Sequence, residues 1–236
     1  IFLKMVDIVM RGAPFFVFAL MAGKMAEIAG DDPSALAEVM AALGWYALTV
    51  VIGLALMVFL IYPTLARSIY GKLTYTQFFR AISPAQFLAF STSSSAATLP
   101  VTMEVVNDNL GIPKRISSFV LPIGATVNMD GTSLYQAVAV VFLAQFHLID
   151  LNFAQQATIV LTATLASIGS AAVPSAGLIM LIIVLESVGL NPAWIALIFP
   201  VDRILDMCRT VVNVTGDITV TTAVAASENA LPSQQS

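Results

Sequence analysis

The sequence predicts an all-α membrane protein: transmembrane helices with two oppositely oriented re-entrant helical hairpins and a broken helix. Three observations lead there. Hydrophobic residues make up 58% of the 236 and charged residues 10%, against about 25% charged in soluble domains. Apolar stretches of bilayer length, or half of it, recur along the chain between polar or turn-forming segments. The few charges inside those stretches gather at helical spacing on one face, where contact with lipid would be costly. A net charge of −4 with no basic stripe argues against nucleic acid as a partner. The lone Cys208 excludes an intrachain disulfide.

Phe2 to Ala29 reads as a helix with Pro14 near its middle, closed by the acidic turn Gly30-Asp31-Asp32-Pro33. The helical pattern begins at Ile1 with no signal peptide before it, so the sequence is expected to be the C-terminal part of a longer protein. Residues 35–66 are expected to span, because the apolar run Trp45 to Ala66 alone exceeds the ~20 residues that cross a bilayer. A polar connector, Arg67 to Arg80, should follow. Ala81 to Phe90 is too short to span, leads into the serine-rich Ser91 to Ala97 and returns from Thr98, giving a hairpin over 78–108. The connector after it, Gly111 to Arg115, is also basic. Positive residues in short loops mark the cytoplasmic side, so this hairpin must enter and leave on that side.

Ile116 to Val127 and Ser133 to Phe146 are half-length apolar stretches split by Asn128-Met129-Asp130-Gly131-Thr132, a broken helix over 116–147. Non-helical backbone at membrane depth is tolerated only where it lines a cavity, which makes its carbonyls available as ligands. A second hairpin, 155–188, runs in through Thr158 to Ala166, turns at Ser167 to Gly177 and returns through Leu178 to Glu186. The connectors around it, His147 to Asn152 and Gly189 to Pro192, carry no Lys or Arg, so it enters from the opposite face. Both tips read Ser-Ala-Ala shortly before a proline, at Ser95 to Pro100 and Ser170 to Pro174. Opposed hairpins with a shared tip are the mark of an inverted repeat transporter.

The last element, a polar helix over 193–227, carries the chemistry. Asp202, Asp206, Arg209, Thr210, Asn213 and Asp217 fall within an arc of roughly 100°, while Ile204, Leu205, Val211, Val212 and Val214 occupy the other face. Asp130, Asp202, Arg203, Asp206, Arg209 and Asp217 would together cost on the order of 15 kcal/mol if unpaired in a membrane. Four carboxylates against two guanidinium groups leave an excess of about two negative charges, which calls for cations. Asp, Asn and Thr oxygens with backbone carbonyls suit an alkali or alkaline-earth ion, and His or Cys spacing for a transition metal is absent. Sodium is the expected ion. An Arg three residues after an Asp offers a planar fork for one carboxylate and an anion for one ammonium, which describes a zwitterion with an acidic side chain. An enzyme is not expected: Asp130-Gly131-Thr132 has the wrong order for an aspartic protease, and Gly-x-Ser-x-Gly is absent. The alternative from a different class is an ion channel, which would not need an Arg and Asp pair aimed at a zwitterion.

Asp206 to Asp217, the segment Asn128 to Thr132 and the serine-rich tip together resemble the dicarboxylate/amino acid:cation symporters, the glutamate transporter family, over Ile1 to about Glu228. The resemblance implies sodium-coupled symport of L-aspartate or L-glutamate by alternating access, in a homotrimer in the plasma or inner membrane. It assigns 1–30 to a scaffold and 31–236 to a mobile transport domain. In that pattern Arg209, with Thr132 and the Gly177 amide, takes the substrate side-chain carboxylate. Asp206, with carbonyls of Ser93 and Val173, takes the ammonium, and Asn213 with the Ser95 amide takes the α-carboxylate. Ser94 and Thr210 lie beside them, and Asp202 and Met129 support them. One sodium site would use Gly124, Asn128, Asn213 and Asp217; a second, carbonyls of Thr126, Ser167, Ile168 and Ser170; a third, the side chains of Asn128 and Asp130. Departures are Ser93 and Met207, where family members carry an arginine, Ala172 and Ser175 in place of tip glycines, and Gln136 in place of a glutamate linked to proton and potassium coupling. The alternatives within the family are a C4-dicarboxylate carrier, which would not need Asp206, and a proton-coupled carrier.

Overall fold

The computed structural model describes residues 33–71 and 73–231, together with positions 12, 15, 18, 19, 22 and 23. Apart from those positions, the expected scaffold helix over 1–30 lies outside the described residues. Every regular element among the described residues is helical. Helix α1 (Pro33–Leu56), a π-helical turn (Met57–Ile61) and α2 (Tyr62–Tyr70) follow without a gap. Their segment Leu36–Tyr70 is long and apolar enough to cross a membrane. The connector expected to begin at Arg67 therefore begins later. Polar residues do not end a helix; Gly71 does, at φ 71° with its amide on the Arg67 carbonyl.

Helix α3 (Tyr75–Thr92) opens on a capping box in which Thr74 and Gln77 satisfy each other's backbone amides. It is followed by α4 (Ser95–Glu104) and a second π-helical turn (Val105–Asn109). The turn between α3 and α4 is Ser93–Ser94 alone, shorter than the serine-rich tip expected. Ser91 and Thr92 finish α3 by donating to the Leu88 carbonyl at 3.0 and 2.8 Å. Ser94 caps α4 through its Oγ, which accepts from the Ala97 amide at 3.2 Å. The serines are used as helix ends, so the chain reverses in two residues.

The broken helix is α5 (Lys114–Val127) and α6 (Asp130–Phe146), interrupted only at Asn128 and Met129; Gly131 and Thr132 already belong to α6. Helix α7 (Phe153–Ile168), capped by Asn152 and Gln155, and α8 (Ala176–Ser187) enclose a non-helical tip over 169–175. A 3-10 turn (Pro192–Leu197) precedes α9 (Phe199–Ser227), so the polar helix begins six residues after the expected 193. Pro200, which lacks an amide proton and suits a first helical turn, marks its start.

Helix α9 packs against each of α1 to α6. It therefore separates two apolar cores. One joins Leu43, Val50, Tyr135, Leu143, Ala163, Leu181 and Leu205; the other joins Phe78, Ile82, Ala85, Val106, Leu121 and Ile218. The expected outward hydrocarbon face of α9 is realised only in part: Ile204 is exposed, whereas Leu205, Val212 and Val214 are buried among neighbouring helices. Large apolar side chains lie on the outside, Trp45, Phe59, Phe87, Phe119, Phe153 and Ile179 among them. That is the reverse of a water-soluble surface and suits hydrocarbon.

Candidate functional site

The polar arc of α9 is buried in full: Asp202, Asp206, Arg209, Thr210, Asn213 and Asp217 are each at most 7% exposed. Arg209 is the largest of the wholly buried side chains. Its Nη2 donates to Asp206 Oδ1 at 2.6 Å and to Asp202 Oδ1 at 3.2 Å. The guanidinium carbon lies 3.8 Å from the centre of the Tyr135 ring on α6, a cation–π stack that holds the group flat. One edge is thus fixed, while Nε and Nη1 have no hydrogen-bond partner. Two orphaned donors on a buried cation are costly; Nε–H and Nη1 point to opposite sides of the guanidinium, so the bidentate edge open to a carboxylate is Nη1 with Nη2, once Nη2 lets go of an acid.

The second hairpin closes over this group. Gly177 approaches so nearly that a Cβ there would meet Thr132 Cγ2 at 2.6 Å and Arg209 Nη1 at 3.6 Å. The Ser175 amide donates to Asp206 Oδ2 at 2.9 Å, and Gln136 Nε2 donates to the Gly177 carbonyl at 2.8 Å. Ser175 adopts this turn at φ 59°, a region in which a non-glycine residue is strained. The two tips touch, since Ser94 Oγ donates to the Ala172 carbonyl at 2.7 Å. Asn213 binds the helix break from the other side: its Oδ1 accepts from the Gly131 amide at 2.8 Å, and its Nδ2 faces Thr132 Oγ1 at 3.3 Å and Met129 Sδ at 3.2 Å.

Between these groups lies a cavity of about 20 Å³, lined by Ser93, Ser95, Met129, Thr132, Ser170, Val173, Gly177, Asp206, Thr210 and Asn213. That is room for about one water; anything larger enters only if the tips part. The residues expected at the substrate site are brought together around it, with Ser94 at the contact of the tips and Arg209 beneath Gly177. Arg203 is not part of it. That side chain is half exposed and reaches Asp206 only at 3.9 Å, so Arg209 is the buried cation among the described residues. Cys208, beside Arg209 in sequence, faces away, onto an apolar space with Val51, Phe59, Phe90 and Val211.

A second pair of acids lies nearby: Asp217, about two turns beyond Arg209 on α9, and Asp130, at the start of α6. Asp217 Oδ1 accepts from Asn128 Nδ2 at 2.9 Å. A Cβ on Gly124 would lie 2.6 Å from the same oxygen, so only glycine admits the carboxylate against α5. Gly124, Asn128, Asn213 and Asp217 therefore converge as expected. Asp130 Oδ2 accepts from the hydroxyl of Tyr62 at 2.6 Å, and among the described residues no Lys, Arg or His side chain lies within ion-pair distance of Asp130 or Asp217. Two acids compensated only by neutral donors, among oxygen-bearing groups, fit a hard cation. The set Thr126, Ser167, Ile168 and Ser170 is less compact. Ser167 and Ile168 border a groove with Asp130 and Met129, Ser170 lines the small cavity, and the Thr126 hydroxyl turns back onto its own helix at Ile123.

Three participants are not apparent from the sequence: Tyr62, Tyr135 and the Ser175 amide. The tyrosines sit in apolar runs where they pass for core residues, and a backbone amide leaves no trace in composition.

A helical chain with an apolar exterior, a buried arginine held between acids and a separate pair of acids without a cationic partner among the described residues is a membrane protein with a charged interior centre. The chain belongs to the sodium:dicarboxylate symporter family, whose pattern matches residues 1–227. It is 45% identical over 217 residues to an excitatory amino acid transporter of Caenorhabditis elegans, covering 92% of this chain and 42% of the relative. It is 47% identical over 215 residues to excitatory amino acid transporter 5 of Homo sapiens, covering 91% and 37%. Excitatory amino acid transporter 1 of Ambystoma tigrinum is 45% identical over 215 residues, with 91% and 38% covered. The chain thus spans well under half the length of these relatives.

Proposed function

We propose that this chain is the substrate- and ion-carrying part of a sodium-coupled symporter for an acidic amino acid, L-aspartate or L-glutamate. The observation that carries the reading is Arg209, whose Nε and Nη1 lack partners while Nη2 holds Asp206 at 2.6 Å. A substrate side-chain carboxylate takes the open donor Nη1 together with Nη2, the end-on edge of the guanidinium. Its ammonium then replaces part of the arginine's hold on Asp206, and its α-carboxylate meets Asn213 and the first tip at Ser95. Thr132 and Gly177 shape the carboxylate end; Ser93, Ser94, Val173 and Thr210 shape the ammonium end, with Asp202 and Met129 behind. Succinate would leave the Asp206 charge unmatched, which disfavours a C4-dicarboxylate carrier.

Sodium belongs with Asp217, Asn128, Gly124 and Asn213, and with Asp130. The carbonyls of Thr126, Ser167, Ile168 and Ser170 form a further site once the second tip settles. Binding of substrate and ions neutralises the interior, which lowers the cost of carrying it through hydrocarbon. The hairpins α3–α4 and α7–α8, touching at their tips, act as re-entrant gates from opposite faces of an inverted repeat. Residues 31–236 move as the transport domain past a scaffold that includes 1–30, in a homotrimer of the plasma or inner membrane.

The test is uptake of labelled L-aspartate by the full-length protein in proteoliposomes, with and without an inward sodium gradient. Sodium-driven uptake, blocked by excess L-aspartate or L-glutamate but not by L-serine or succinate, is expected. Uptake indifferent to sodium, or blocked best by succinate, would overturn the assignment.

A further inference from the structure

Tyr62 stands where three elements meet. Its hydroxyl donates to Asp130 Oδ2 at 2.6 Å, and it comes from the long α1–α2 helix, not from the hairpins or the broken helix. Local backbone geometry aims it there. The π-helical turn Met57–Ile61 ends with the Tyr62 amide on the Met57 carbonyl, five residues back. The extra residue in that turn rotates α2 about its axis relative to a regular helix. Pro63, buried next to it, has no amide proton to lose at this point. Opposite stands Gly216 of α9, where a Cβ would lie 2.9 Å from the Tyr62 hydroxyl and 2.8 Å from Asn128 Nδ2. The missing side chain leaves the space both groups occupy.

The phenol therefore sits beside Asn128, which itself holds Asp217. Among the described residues Tyr62 is the one side chain that hydrogen-bonds the Asp130 carboxylate. A buried carboxylate without a donor is strongly disfavoured, and a donor to a charged acceptor is worth roughly twice a neutral pair. A cation arriving at the same carboxylate draws its electron density away, so the phenol contributes less once the cation is bound. A donor that stabilises the ion-free form more than the ion-bound form opposes binding.

We propose that Tyr62 is a positioning residue that stands in for sodium at Asp130: it holds the carboxylate when the ion is away and so sets the sodium concentration at which the site fills. This rests on the reading of Asp130 as a sodium ligand. It ties ion occupancy to the long membrane-crossing helix, because the bond that weakens on ion binding is anchored there.

The test uses full-length Tyr62→Phe, which keeps the ring and removes the donor, with sodium titrations of labelled L-aspartate binding and thermal unfolding in lipid nanodiscs. The sodium concentration for half-maximal binding should fall by about three- to tenfold, as when part of a charge-assisted hydrogen bond is removed from one of two states. Unfolding without sodium should come earlier, and the gain on adding sodium should be larger than in the parent. In an Asp130→Asn background the added Tyr62→Phe should no longer shift the sodium midpoint. Tyr75→Phe, which removes a hydroxyl paired with Thr64 on the exposed side, should leave it unchanged. An unchanged or raised sodium midpoint in Tyr62→Phe would overturn the proposal, since loss of structure alone does not lower a requirement for ion. Absence of any sodium dependence in the parent protein would instead overturn the symporter reading itself.

Discussion

Gly131→Ala tests the packing that joins the broken helix to the arginine. In a helix this exchange ordinarily stabilises by about 1 kcal/mol, through lost freedom of the unfolded chain. Here the sign reverses. The added methyl would lie 2.7 Å from the Arg209 carbonyl oxygen, 3.1 Å from its Cα and 2.9 Å from Val212 Cβ. Two of the three are backbone atoms of a helix packed on several sides, so neither can swing aside. Relief requires α6 and α9 to part by about 0.7 Å at this crossing, taking 3.4 Å as ordinary contact. That shift strains the 2.8 Å bond from the Gly131 amide to Asn213. Overpacking costs roughly 1–3 kcal/mol and the weakened hydrogen bond about 1 kcal/mol, so a net loss of about 1–3 kcal/mol remains. Thermal unfolding in nanodiscs should drop by about 2–6 °C, at roughly 2 °C per kcal/mol for a cooperative unit of this size. L-Aspartate binding should weaken by about tenfold or more, because Asn213 and Arg209 shift together. Gly44→Ala, where the methyl meets no atom within 4 Å, should cost nothing. Parental unfolding and binding in Gly131→Ala would refute the close crossing.

Arg209→Lys keeps a positive charge but loses the planar fork and the stack on Tyr135; L-aspartate uptake should fall by about 100-fold or more, and parental kinetics would refute the bidentate role. Ser175→Gly relieves the positive φ while keeping the amide that donates to Asp206; the unfolding temperature should rise by an amount matching about 0.5–1 kcal/mol, and a fall would contradict the backbone described. Ser94→Ala removes both the cap of α4 and the bond to the Ala172 carbonyl; cleavage at the second tip by an added protease should become faster, with a stability loss of about 1 kcal/mol.

The polar arc of α9 was legible in the sequence because charges in an oily chain are conspicuous and helical periodicity is regular. The two helix–turn–helix pairs and the broken helix followed from the lengths of apolar runs. Limits of elements were harder to read, since a serine serves equally as a loop residue and as a cap; Ser91, Thr92 and Ser94 do the latter. Arg67 looked like the start of a connector, yet helix propensity carried α2 on to the glycine. Tyr62 and Tyr135 were hidden for a different reason. Their role depends on partners 68 and 74 positions away, Asp130 and Arg209, which no local pattern links.

Those separations also govern how the chain is made. Asn128 meets Asp217 across 89 residues, and the two hairpin tips meet across 78. At roughly 5–20 residues per second, Asn128 waits about 4–18 s for Asp217 to be synthesised. In that interval Asp130 has the hydroxyl of Tyr62, already made, as a donor, while the faces of α1 to α6 that later enclose α9 have nothing against them. Premature termination anywhere before Asp217 leaves Asn128 and Asp130 without the acid-bearing part of α9. Such truncated products lack half of the polar site, so nonsense changes even within α9 should act as full losses of the protein.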